Sequence, residues 1–125
     1  MEIKQGLLYT KSHEWVEFLD DTTALVGLSD YAQHELGDLV FANLPEVGDE
    51  ITAGKMFADV ESVKAVSDVY APVTGTVAAV NKVLLDEPEK INESAYGAWF
   101  AKVENISGRA ELMDADAYQK YCGTL

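Results

Sequence analysis

The chain has 125 residues, nearly half of them apolar, which is enough for one domain with a proper core and short for two. Twenty-two acidic residues against nine basic ones leave a formal charge of −13, so phosphate-rich partners such as nucleic acid, and an anionic membrane surface, are poor fits. The same acidity suits a soluble protein that stays monomeric and meets partners by electrostatic steering, or one that is acidic only for solubility.

From Leu7 the chain reads as the start of a strand, a polar break at Ser12-His13-Glu14 and a second strand over Trp15 to Leu19. Asp20-Asp21-Thr22-Thr23 is a turn cluster and Ala24 to Leu28 returns as a strand, which makes an antiparallel hairpin. Ser29-Asp30 caps a short helix over Asp30 to Leu36, Asp30 with Gln33 three residues on resembling a capping box; Gly37 stops it, and Tyr31 and Leu36 are its buried side. Asp38 to Leu44 is a strand, Pro45 to Asp49 a turn, Glu50-Ile51 a brief strand and Ala53-Gly54-Lys55 another turn.

Met56 to Ser62 and Ser67 to Ala71 read as two valine-rich strands with Lys64 at their connection. Pro72 and a Thr74-Gly75-Thr76 turn precede a strand over Val77 to Val83. A short helical or looped segment follows from Asp86 to about Asn92, and Ala98 to Val103 is a last strand. Asp114 caps a terminal helix to Tyr121, with Ala117, Tyr118 and Tyr121 on one face. Many short strands between turns, without βαβ units, indicate an all-β core with small helices at its edges.

No catalytic constellation emerges. His13 and His34 are the only histidines, no metal-ligand spacing occurs, and neither has a nucleophile nearby, so triad and metal readings fail. His34 reads as a solvated residue on a short helix. Cys122 stands alone and forms no internal disulfide, and Trp15, Trp99, Tyr96 and Phe100 read as core or rim aromatics. The N-terminus carries neither a signal-peptide nor a transit-peptide pattern, and no apolar run approaches membrane-spanning length. The expected location is the bacterial cytoplasm, or the mitochondrial matrix for a processed eukaryotic form. Taken alone, Lys64 reads as an ordinary exposed lysine; one lifted on a tight turn also suits an enzyme that must reach it from outside.

The strings weigh that choice. ESVKAVSDVYAPVTG around Lys64 resembles the modification site of the H protein family of the glycine cleavage system. YTKSHEWVEF, VGLSDYAQHELGDLVF, LPEVGDEI, VNKVLLDEPEKIN and YGAWFAKV resemble the same family in the same order, so the match covers Tyr9 to Tyr121. The resemblance implies a mainly β fold over residues 1–125, a barrel–sandwich hybrid with short peripheral helices and a C-terminal helix. It implies a carrier, not an enzyme, with lipoate in amide linkage on Lys64. Its partners would be the glycine decarboxylase (P protein), the aminomethyltransferase (T protein), dihydrolipoamide dehydrogenase (L protein) and lipoate-attaching enzymes.

By the same resemblance, Glu61 and Gly75 stand at positions needed for lipoate attachment, and Ser12, Glu14 and Asp68 at a cleft that docks the loaded arm. For the glycine, a turn with positive φ or close approach of the attaching enzyme would exclude a Cβ. A relay of lipoyl or octanoyl groups to other carriers is the alternative role. Biotin carriage is disfavoured because Val63 and Ala65, not methionines, flank the lysine. The family pattern usually has a proline, and extra residues before the tryptophan, where this chain runs Asn92 to Trp99, which predicts a looser edge there.

Overall fold

A computed structural model describes residues 1–125. The elements are β1 (Leu8–Tyr9), β2 (Glu14–Asp20), β3 (Thr23–Leu28), α1 (Asp30–Leu36), β4 (Leu39–Asn43), β5 (Glu50–Ile51), β6 (Met56–Ser62), β7 (Val66–Tyr70), β8 (Val73–Val80), α2 (Val83–Asp86), α3 (Lys90–Glu93), β9 (Ala101–Arg109) and α4 (Ala115–Cys122). They form two antiparallel sheets: six strands in the order β1-β2-β3-β9-β8-β5, and three in the order β4-β6-β7. The fold is mainly β, with sheets packed as a sandwich and no closed barrel. No helix is long and apolar enough to cross a membrane.

Alternation explains the layers. In β6, Ala58, Val60 and Ser62 turn inward while Met56 and Glu61 face solvent. Val60 and Val69 meet Leu39, Leu84, Ile91 and Phe100 in one part of the core. Val16, Val26, Val73, Val77 and Val103 fill a second part beneath the six-stranded sheet, and half-buried Phe57 packs against both. Each such valine or leucine contributes ~1.5–3 kcal/mol when fully buried. A third cluster is aromatic: Tyr9 stacks on Tyr118 at 4.4 Å, which fixes α4 against the β1–β2 corner. Trp15 lies over Gly27, its strand partner, and its indole N–H donates to Ala95 O at 3.1 Å.

Several local expectations need correction. Of the expected Ser29-Asp30 cap, Ser29 is the N-cap, its Oγ accepting from Ala32 N–H, but the capping box does not form, because Gln33 bonds the Asp30 side chain instead. Ala32 is the buried residue of α1, and Tyr31 and Leu36 are only half-buried. Gly37 does end the helix, at φ 82°. Thr74-Gly75-Thr76 is not a turn but the interior of β8, which starts at Val73 and stops at Val80. The last strand begins at Ala101 rather than Ala98 and runs on to Arg109. On α4 the buried face is Ala115, Tyr118 and Cys122, and Ala117 is exposed. β5 and β8 pair with each other, Ile51 against Gly75.

Candidate functional site

Ser62 builds the bend that carries Lys64. Its N–H donates to Ala65 O at 2.8 Å, and its Oγ accepts from Lys64 N–H (3.2 Å) and Ala65 N–H (3.0 Å). Val63 N–H donates to Asp38 O at 3.1 Å, which ties the bend to the start of β4. The backbone is therefore fixed while the Lys64 side chain is exposed and makes no ion pair; the chain's only two are Lys11–Glu111 and Lys90–Glu93. Its stem lies over Gly37, where a Cβ would sit 3.5 Å from Lys64 Cε. Val63 and Val66 flank the lysine at 72% and 67% exposure, too open to serve the core. Phe41, Glu61 and Val66 form one register row across the three strands, and all are exposed. Two pairs along, Asp59 stands directly opposite Asp68, an arrangement that costs stability for like charges.

A cleft of about 180 Å³ opens between α1 and β7. Ser12 and His13, from the loop before β2, and Ser67 and Asp68, from β7, line it. Leu28, Ala32 and Leu36 give it an apolar lining, while Tyr31 and Glu35 also face it. Leu36 lines the cleft and precedes Gly37, beside which Lys64 Cε lies, so the far end of the lysine stem lies near the cleft. Ser12 and Asp68 are thus brought together across a gap that the sequence separates widely.

Glu14 is placed differently. It is 1% exposed and lies behind Ser12 rather than in the cleft. Its Oε1 accepts from Ser12 Oγ (2.5 Å) and Thr10 Oγ1 (2.7 Å), and its Oε2 from Tyr70 N–H (3.2 Å). Burial pushes its carboxyl above the usual range, against the pull of these hydrogen bonds. Folding therefore favours its protonated form; the stability this contributes is present below the unfolded value and lost as pH rises through the folded one. Glu14→Ala strands the Tyr70 N–H and should cost about 1–3 kcal/mol. Glu14→Gln should lose less, because its amide oxygen can take the Tyr70 N–H while its NH₂ turns to a hydroxyl oxygen. Urea midpoints of the two variants in that order would bear this out.

Glu61 is exposed on β6 beside the lysine bend, whereas Gly75 lies in the other sheet, between β5 and β9. Sequence reasoning missed the cleft roles of Tyr31 and Glu35 and set His13 aside. His13 has φ 76°, and nothing in a linear string shows that.

A two-sheet β fold that fixes a bend, frees its lysine and adds a small acidic cleft suits a carrier with a tethered arm. Comparison makes this specific. The family described as "Glycine cleavage H-protein" matches residues 7–124. The glycine cleavage system H protein of Lachnoclostridium phytofermentans is 59% identical over 97% of this chain and 95% of its own length. The probable glycine cleavage system H protein of Pyrococcus horikoshii is 57% identical over 99% and 95%. A crystal structure of a glycine cleavage system H protein from Mycobacterium marinum superposes with a TM-score of 0.92 at 37% identity, covering 97% of this chain and 99% of that one. The chain belongs to the glycine cleavage H-protein family. That family is the lipoate-carrying shuttle of the glycine cleavage system, and its members have no catalytic activity of their own.

Proposed function

We propose that Lys64 bears the lipoate of this chain and that residues 1–125 act as one carrier domain. The observation that carries this reading is a lysine free of ion pairs on a bend whose every hydrogen bond is made by backbone or by Ser62. Amide formation at its Nζ would break no contact. When bound, lipoate supplies a dithiolane that takes up an aminomethyl group and two electrons and releases them at separate active sites. The chain's own residues anchor it, so that a local concentration replaces tight binding at each partner.

Those partners are the P, T and L proteins and a lipoate-attaching enzyme, in the cytoplasm, in keeping with the bacterial and archaeal relatives. Glu61 and the exposed Val63 and Val66 offer the attaching enzyme one acceptor and two apolar contacts beside the lysine. The cleft is the resting place of the cargo: Ser12 and Asp68 accept from its cationic amine, and the apolar lining limits water. Glu14 acts one step back, by holding Ser12 and β7. Gly75 acts through the sheet.

The test is intact mass and peptide mapping of protein isolated from its native host. A single lipoyl addition on the Lys64 peptide is expected. Unmodified protein, or the group on any of the other lysines, would overturn the assignment.

A further inference from the structure

His13 is more tightly constrained than a solvated loop residue needs to be. Its left-handed backbone is pinned on both sides: its N–H donates to Thr10 O at 3.1 Å, and its carbonyl accepts from Ser29 N–H at 2.9 Å. The ring is caged by aromatics, with centroids 4.5 Å from Tyr31, 5.8 Å from Tyr118 and 6.0 Å from Tyr121. Nδ1 lies 2.7 Å from Tyr118 Oη, and that oxygen lies 2.7 Å from Ser29 Oγ. Ser29 Oγ in turn accepts the Ala32 N–H at 3.2 Å.

This chain of contacts has a direction. Ser29 is completely buried, and Tyr118 Oη is the only place its hydroxyl hydrogen can go. Tyr118 therefore accepts from Ser29 and turns its own hydrogen toward His13. Nδ1 accepts, so the hydrogen of the neutral ring resides on Nε2, which has no protein partner and keeps solvent access. A hydrogen on Nδ1 would make Tyr118 Oη accept twice and leave the phenol's own hydrogen only the weak acceptor Cys122 Sγ. A protonated ring carries hydrogens on both nitrogens and incurs the same loss. Burial acts in the same direction and lowers the His13 imidazole below its ordinary value, against the pull of Glu35.

We propose that His13 is a positioning residue of the cleft, locked as the neutral Nε2–H imidazole by Tyr118 and Ser29, and that its protonation expels a cationic amine from the cleft. This rests on the reading of the cleft as the cargo's resting place. The groups that face the ring are Tyr31 and Glu35 from α1, and Tyr118 and Tyr121 from α4; Ser12 and Glu14 adjoin it, and Asp68 lies across the cleft. Glu35 and Asp68 are the exposed acids of the cleft, and a neutral His13 leaves both free for an amine. A charged His13 adds a cation at the wall and engages Glu35, so the acidic site is lost twice over.

Two measurements test this. The first is nitrogen NMR of the imidazoles in unlipoylated protein. His13 should be the Nε2–H tautomer and still neutral at about pH 6.5, the ordinary midpoint. Tyr118→Phe should erase the tautomer preference. An Nδ1–H ring, or an ordinary midpoint in the parent, would overturn the lock. The second follows the Ser67 and Asp68 amides of lipoylated, cargo-loaded protein as pH falls. In the parent, docking should weaken about tenfold per pH unit below the His13 midpoint. In His13→Gln it should persist through that range. Docking in the parent with an unchanged pH profile in His13→Gln sinks the role of His13 and spares the cleft. Absence of docking at every pH sinks both.

Discussion

Lys64→Arg should fold as the parent does, acquire no lipoyl mass and support no glycine cleavage at all. The stability half follows from what the side chain does not touch. The bend is made by Ser62 and by main-chain groups of Val63, Lys64 and Ala65, all of which survive the change. The stem only rests over Gly37 and ends in solvent, so a substitution here should stay within about 0.5 kcal/mol of neutral. The functional half follows from nitrogen chemistry. An ammonium can lose a proton and form an amide; a guanidinium stays charged and has its lone pairs delocalised. Arg keeps the charge of the unmodified lysine, so the attaching enzyme is steered alike and a loss of lipoylation reflects the missing amide-forming amine. Thermal melting, intact mass after incubation with an attaching enzyme, and glycine-dependent CO₂ release read the three parts. Residual CO₂ release above the protein-free background would refute the tether, and a drop of many degrees in Tm would show that Lys64 has a hidden structural role.

What could be read along the chain was local, and what was missed is long-range. The strands flanking Lys64, the stop at Gly37 and the Asp114 cap rest on periodicity, a left-handed glycine and an Asx side chain, each set within a few residues. The Thr74-Gly75-Thr76 error shows the limit. Three small residues in a row read as a turn, yet β5 on one side and β9 on the other make them strand. Glu14 looked like a surface acceptor because acids usually are, and only the meeting of the β1–β2 corner with Tyr70 buries it. The cleft draws on the loop before β2, on α1 and on β7, so no window of sequence contains it. The face of α4 was misread for a related reason: Cys122 packs where Ala117 was expected, because stacking of Tyr118 on Tyr9 sets the rotation of the helix.

Gly75 is where this difference has the largest consequence for stability. Its φ is not left-handed, so a turn does not explain the glycine. Crowding does. Between the pairs Thr76–Glu104 and Thr74–Gly108 the ninth strand carries extra residues, bent by the left-handed Asn105 (φ 53°), and it folds over Gly75. A Cβ there would sit 2.6 Å from Glu104 O, 2.7 Å from Val103 Cγ1 and 3.5 Å from Ile106 Cα. The nearest obstacle is a main-chain carbonyl, which cannot rotate away, and Val103 is completely buried. Gly75→Ala should therefore destabilise by about 1–3 kcal/mol, as overpacking does, which for a chain of this size lowers Tm on the order of 10 °C. Lipoylation separates two meanings of the loss. If the glycine matters through the sheet, Gly75→Ala should accept lipoate at the parent rate wherever circular dichroism shows it folded, and fail only as it melts. A variant that is fully folded yet refused by the attaching enzyme would instead put Gly75 in that enzyme's footprint, a whole sheet away from the lysine it modifies.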